Sequence, residues 1–274
     1  MKTIQILLQL LSKISPKLSA KVAFHLFTKV RKKDIRDREK AFYQQAKKSS
    51  IPFPKEDLNI YEFGEESNEL IILVHGWDSN AGSLFAFVAP LLQKNKRVIA
   101  LNLPGHADYK SSHTNLLECK DAIITLLQTF KNTENISIIS HSFGSAITSL
   151  ALCELDIKVN NLYFLTSPNK MENVFLEFKA ILKLDDRTYH LLRNMANVVL
   201  KEKLEDMYIH DKLKHASFQH LYVFHDEKDK IIDLENSIKI VSEIKNSSLK
   251  TYHKIGHYRM LWNEPLIKDV ISFI

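Results

Sequence analysis

The chain predicts an α/β fold built on a mostly parallel sheet with helices on both faces. Three observations point there. From residue 58 onward, short apolar runs rich in β-branched residues alternate with stretches of helical periodicity, the pattern of βαβ units. A length of 274 residues suits one α/β domain with an insertion better than two full domains. The apolar runs also end in turns that carry His, Gly, Ser or Asp, where open α/β sheets place their ligands. A hydrophobic fraction of 45% with 26% charged residues is ordinary for a soluble globular chain and favours no fibrous or disordered class.

Taken in order, Leu58–Phe63 reads as the leading strand and Glu69–Val74 as the next, closing in His75-Gly76-Trp77. A helix over Ser83–Leu92 places Phe85, Val88 and Leu91 on one side. Arg97–Leu103 is a strand stopped by Pro104-Gly105, and Asn115–Phe130 is helical. Ile136–Ile139 is a strand that turns at Ser142 into a helix spaced by Ala146, Ile147, Leu150 and Ala151. Asn161–Thr166 is a further strand. The alternation then lapses over residues 171–216, which are helix-patterned throughout and read as a helical cap inserted over the site. The sheet resumes with Leu221–Phe224, a helix near Leu234–Ile244, a strand near Leu249–His253 and a closing helix through Leu266–Phe273.

The first fifty residues stand apart from this body, which runs from 51 to 274. They hold 13 Lys and Arg against 3 Asp and Glu, a net +10, while the remaining residues carry a net −4. The basicity therefore does not belong to the body, and no nucleic-acid partner is expected. Ile4, Leu7, Leu8, Leu11, Ile14 and Leu18 recur at three- and four-residue spacing, the mark of an amphipathic helix. Gln5, Gln9, Lys13 and Lys17 break any apolar run long enough to span a bilayer, and no small-x-small cleavage site follows for a secretory signal. Pro16 starts a second helix through Leu18, Val22, Ala23 and Leu26, ending at Arg31-Lys32-Lys33. Two readings stay open for residues 1–30. The stripe packs on the body or along a dimer seam, or it lies at an anionic membrane surface. Cys119 and Cys153 have no ligand or disulfide spacing and read as reduced thiols of a cytoplasmic protein, with a peripheral membrane location as the variant.

The chemistry centres on Ser140-His141-Ser142-Phe143-Gly144-Ser145. A strand turning sharply into a helix at Ser142 exposes that hydroxyl, with small residues two before and two after it. A serine hydroxyl needs a base to take its proton. His257, in Lys254-Ile255-Gly256-His257, leaves the last strand and supplies one. Asp229, just past the preceding strand, would orient that histidine, and Asp226 three residues earlier is a rival carboxylate. Backbone N–H groups of Phe143 and Trp77 are the candidate donors to a developing oxyanion. The chain has no G-x-G-x-x-G and no G-x-x-x-x-G-K-[ST], and its H-x-x-x-H pair, His253 and His257, has no carboxylate close by in sequence. Neither a nucleotide cofactor nor a metal is expected.

These motifs resemble those of the α/β-hydrolase fold superfamily, in its capped, esterase-like branch. The likeness covers about residues 58 to 274 and rests on His75-Gly76-Trp77, the loop Leu101-Asn102-Leu103-Pro104-Gly105-His106, the turn at Ser142, the Asp229 loop and Gly256-His257. It implies a sheet of eight strands and a cofactor-free acyl-enzyme mechanism. The register Glu227-Lys228-Asp229-Lys230-Ile231 favours Asp229 over Asp226. Ser140 stands where the family's first elbow glycine usually lies, Ser145 where a further small residue is usual, and Ala107-Asp108 where Gly-x-Ser commonly continues. The resemblance implies a serine hydrolase of carboxylic esters acting through Ser142, Asp229 and His257. Its acyl group would be small to medium and apolar, lined by Phe85, Phe175, Phe178 and Ile181. A thioesterase or acyltransferase would use the same three residues, and a non-catalytic binding module on the same fold is the alternative from another class.

Overall fold

The computed structural model describes residues 2–31, 34–67 and 69–274. The strands are β1 (Lys47–Ile51), β2 (Leu58–Phe63), β3 (Glu69–Val74), β4 (Arg97–Leu101), β5 (Asn135–His141), β6 (Lys158–Leu165), β7 (Ser217–Asp226) and β8 (Ser247–Tyr252). They form one sheet in the order β1-β2-β4-β3-β5-β6-β7-β8. β2 runs antiparallel to both β1 and β4, and every other pair is parallel. The central strands β3 and β5 are buried almost end to end, so their sequences are nearly continuous apolar runs rather than alternating ones.

Helices cover both faces. On one side lie α4 (Phe85–Gln93) and α11 (Glu264–Ser272), with a core of Phe87, Leu91, Tyr163 and Phe224. On the other lie α5 (Leu116–Thr129), α6 (Phe143–Glu154) and α10 (Leu234–Glu243), packed on Ile72, Ile138, Phe164 and Leu221. Between β6 and β7 the chain inserts α7 (Met171–Leu182), α8 (Asp186–Leu200) and the short α9 (Ile209–Lys214). Asp185 caps α8 by accepting from the Thr188 N–H at 3.0 Å, which fixes where the second inserted helix begins.

Among the described residues, three helices precede the first strand of the sheet. α1 (Lys2–Ile14) and α2 (Pro16–Phe27) form a hairpin. Ser15 caps α2 and Pro16 occupies its first turn, where a missing N–H costs nothing. Ser19 Oγ donates to the Leu8 carbonyl at 3.1 Å, pinning the two helices together, and α2 packs along α8. After α3 (Asp37–Gln45) comes β1, an edge strand that the sequence reading does not place. Its residues Lys47-Lys48-Ser49-Ser50 are all exposed, so they show no apolar alternation. The expected basic end of the segment, Arg31-Lys32-Lys33, is described only at Arg31, and Lys32 and Lys33 lie outside the described residues. Among the described residues no helix is long and apolar enough to cross a membrane.

Candidate active site

Four chain segments bring the chemistry-bearing residues to the C-terminal ends of the parallel strands. Ser142 follows β5 with φ 54° and ψ −117°, a conformation that non-glycine residues rarely adopt and that persists only where the surroundings impose it. Those surroundings are visible. The Ser142 N–H donates to the Leu165 and Thr166 carbonyls at 3.2 Å, and the Ser142 carbonyl accepts from the Ser145 N–H at 2.9 Å. Gly144 makes the turn possible. A Cβ there would sit 2.6 Å from the Val74 and His75 carbonyl oxygens, so only glycine lets α6 cross β3 this closely. Gly76 serves the mirror role, since a Cβ on it would lie 3.0 Å from His141 Nδ1 and 3.3 Å from Ser142 Cβ.

The departures at Ser140 and Ser145 are absorbed by hydrogen bonding. Ser140 Oγ donates to Ser145 Oγ at 3.1 Å, and Ser145 Oγ reaches the Thr166 carbonyl at 3.0 Å, so the two buried hydroxyls brace the turn. The Asp108 departure is also satisfied, accepting from Asn102 Nδ2 at 3.0 Å and from Asn59 Nδ2 and Lys48 Nζ at 3.1 Å.

His257 Nδ1 lies 2.8 Å from Asp229 Oδ2, and His257 Nε2 lies 3.1 Å from Ser142 Oγ. A carboxylate only accepts, so Nδ1 carries the proton and Nε2 is left to accept from the Ser142 hydroxyl. Burial pushes the Asp229 carboxyl up. The hydrogen bond and charge of His257, with the Ile231 and Ile232 N–H groups on Oδ1, outweigh it and hold the acid below its ordinary value. Asp226 is spoken for elsewhere. It accepts from the Lys228 and Ile255 N–H groups and so ties the loop after β7 to the loop after β8. Asp229 thus faces the histidine, and Asp226 joins the loops that carry both.

Three other histidines support the constellation, and the sequence gives no clear signal of how. His75 donates from Nδ1 to the Gly76 carbonyl at 2.8 Å and accepts the Leu103 N–H on Nε2 at 3.0 Å, joining the ends of β3 and β4. Burial, then neighbouring His106, holds it well below the ordinary histidine value. His141 donates from Nε2 to the His257 carbonyl at 3.0 Å. Burial, and next the charge of His257, pushes it to about 3, so it stays neutral beside the site. His225 sits beneath the acid loop, 2.6 Å from Ser237 Oγ and 2.9 Å from the Ile232 carbonyl.

A cavity of about 320 Å³ opens on Ser142 and His257. Trp77 and Phe143, the residues whose amides are the expected oxyanion donors, line it with their rings edge to face and centroids 5.2 Å apart. Of the predicted acyl-lining residues, Phe175, Phe178 and Ile181 do face this cavity from α7. Phe85 does not. It starts α4 on the opposite face of the sheet and packs with Leu84, Phe87 and their neighbours, and Phe87 is fully buried there. Helical periodicity identifies an apolar face but not which side of a sheet that face covers.

The sequence reading also misses the wall contributed by the N-terminal segment. Phe24 and Phe27 of α2 line the cavity, and the Phe27 ring lies 4.2 Å from Phe175 and 5.0 Å from Phe178, centroid to centroid. Just beyond α2, the Arg31 N–H donates to Asp78 Oδ1 at 2.7 Å while its guanidinium grips Oδ2 at 2.9 Å. Asp78 follows Trp77 and has a positive φ of 55°, so this fork holds the turn that presents the Trp77 amide.

Comparison with known proteins agrees with this architecture. A family model described as alpha/beta hydrolase fold matches residues 69–202. A probable serine hydrolase of Drosophila melanogaster is 30% identical over 119 residues, which are 41% of this chain and 35% of that protein. A serine hydrolase-like protein of Dictyostelium discoideum is 28% identical over 160 residues, 54% of this chain and 44% of that protein. The chain thus aligns with less than half the length of either relative. Among solved structures, an esterase of Pyrococcus furiosus superposes with a TM-score of 0.67 over 90% of this chain and 96% of its own. At 15% identity, that likeness speaks for the fold.

Proposed function

From the match to the alpha/beta hydrolase fold model and the likeness to serine hydrolases, we propose that this chain is a serine hydrolase of carboxylic esters with a small to medium apolar acyl group. The observation that carries this reading is the continuous hydrogen-bonded line Ser142–His257–Asp229 at the floor of an apolar cavity.

In this reading Ser142 Oγ attacks the acyl carbon while its proton passes to His257 Nε2. Asp229 keeps the resulting imidazolium oriented and stabilises it. The carbonyl oxygen takes the negative charge and is met by the backbone N–H groups of Trp77 and Phe143. Collapse breaks the bond to the alcohol oxygen, which leaves with the proton from His257. Water then attacks the acyl-enzyme, giving its proton to His257, and the acid departs as Ser142 recovers its hydrogen. The acyl chain lies against Phe24, Phe27, Phe175 and Phe178. The unpaired Cys119 and Cys153 suit a reducing cytoplasm.

Labelling the purified protein with a fluorophosphonate and mapping the modified peptide tests the core of this reading. Modification at Ser142 that disappears in His257→Ala supports it, and graded esters and thioesters then separate an esterase from a thioesterase. A folded protein that stays unlabelled sinks it in favour of a binding module.

A further inference from the structure

The hairpin of α1 and α2 has two working faces. Its inner face packs on the body through Leu8, Ser19, Ala20 and Ala23 and lends Phe24 and Phe27 to the cavity. Its outer face is apolar where an isolated soluble helix would be polar. Leu7, Leu10 and Ile14 follow one another at three- and four-residue spacing along α1 and are 57%, 55% and 84% exposed. Leu18 carries the exposed apolar surface past the turn at Ser15-Pro16. Beside it Lys13 at the end of α1 and Lys17 and Lys21, one turn apart on α2, are exposed, and none of the three pairs with a carboxylate among the described residues. The sequence has no Asp or Glu before Asp34. Asp185, the carboxylate beside the groove between α1 and α8, is engaged in capping α8.

The rim of the cavity beside the hairpin is also apolar and exposed. Ile181 lines the cavity and is itself exposed, and its carbonyl accepts a hydrogen bond from Gln5 of α1 at 2.8 Å. Val199 on α8 likewise lines the cavity while partly exposed, and Val198 beside it is 78% exposed. We propose that the outer face of the α1–α2 hairpin docks on an anionic lipid bilayer, with the rim at Ile181 and Val199 turned toward the membrane. An apolar helix face inserts at the headgroup boundary while flanking lysines meet acidic lipid, a combination neither feature achieves alone. A second copy of the chain is a poorer occupant. A symmetric pairing through this face would bring the same unpaired lysines against each other. Docking delivers substrates dissolved in the bilayer straight to the cavity; that consequence rests on the hydrolase reading, whereas docking itself does not.

The test is flotation of the full chain with vesicles of phosphatidylcholine alone or mixed in equal parts with phosphatidylglycerol. The expected result is binding to the anionic vesicles at low salt that falls sharply near about 1 M salt, where charges are screened within a few ångströms. Two triple variants divide the contributions: Leu7→Gln/Leu10→Gln/Ile14→Gln removes the apolar part and Lys13→Gln/Lys17→Gln/Lys21→Gln the cationic part. Each should weaken partitioning by about tenfold or more, while fluorophosphonate labelling without vesicles stays at the parent level and reports an intact fold. No binding at low salt overturns the proposal, as does binding that both variants leave unchanged. A concentration-dependent dimer that the apolar variant dissolves, with vesicles unbound, assigns the face to a second copy instead. Vesicle binding by a protein that never labels would spare this proposal and sink the hydrolase reading.

Discussion

On the sheet side of the cavity, Ser142, Asp229 and His257 are fixed by backbone. A positive φ at Ser142, two N–H groups on Asp229 and two loops tied by Asp226 leave these side chains little choice of position. On the helical side, Phe27 packs on the rings of Phe175 and Phe178 while Phe24 lines the same cavity, and all four sit in the apolar cluster through non-directional contact. One wall is directional and intolerant of displacement. The other is non-directional packing, which can accept side chains of other sizes with modest loss. In the proposed reaction the first wall would carry the chemistry and the second the selection among acyl groups.

The sharpest way to break that division is to alter the two carboxylates near β7 one at a time. Asp229→Asn should lower kcat on the order of 10⁴-fold, because the amide no longer holds His257 in the tautomer that accepts from Ser142. Asp226→Asn should keep activity within about tenfold and show its cost in thermal stability, since it acts on loop backbone and not on the histidine. Ester turnover and melting temperature of the two variants check this, and equal losses of turnover would erase the distinction between them.

A second effect separates the walls by pH. His141 sits near 3 in the folded state against an ordinary 6.5, so the unfolded chain binds the extra proton between those values. Stability from this residue is therefore complete above pH 6.5 and is withdrawn as pH falls toward 3. The shift corresponds to on the order of 5 kcal/mol at its limit. Denaturant unfolding across pH 4 to 7 should show a steep acid loss that His141→Gln flattens, whereas substitutions on the aromatic wall leave the slope alone.

The smallest effect lies on the helical wall. Phe27→Ala should raise KM for the longer apolar acyl esters by about tenfold and leave kcat on the shortest esters nearly unchanged. A matched fall in kcat for every ester would mean that this wall also positions the reacting groups.

Much of the directional wall was legible in the sequence because its chemistry demands particular residue types at strand ends. A nucleophile with small neighbours, then an acid, then a histidine after a positive-φ glycine, Gly256, leaves a trace in order and spacing. The supporting contacts of His75, His141 and His225 leave none, since a histidine beside a strand end looks the same whether it braces a carbonyl or faces solvent. The apolar wall was half legible. Phe175 and Phe178 follow from the insertion that carries them, but Phe85, expected at the acyl group, packs away from the cavity, and nothing in the sequence points to Phe24 or Phe27. Apolar periodicity predicts burial and says nothing of the surface that does the burying. β1 escaped for the opposite reason, because a solvent-exposed edge strand has no apolar side to betray it.

Ser142 and His257 meet across 115 residues of chain, with the sheet between them closed by β6, β7 and β8. During synthesis the wall residues at 24 and 27 emerge first, the proposed nucleophile later, and the proposed base only after the last strand. A serine without its base is an ordinary alcohol. On the proposed mechanism, nascent and partly folded forms would be chemically silent, and reactivity at Ser142 would gauge whether the whole molecule has come together.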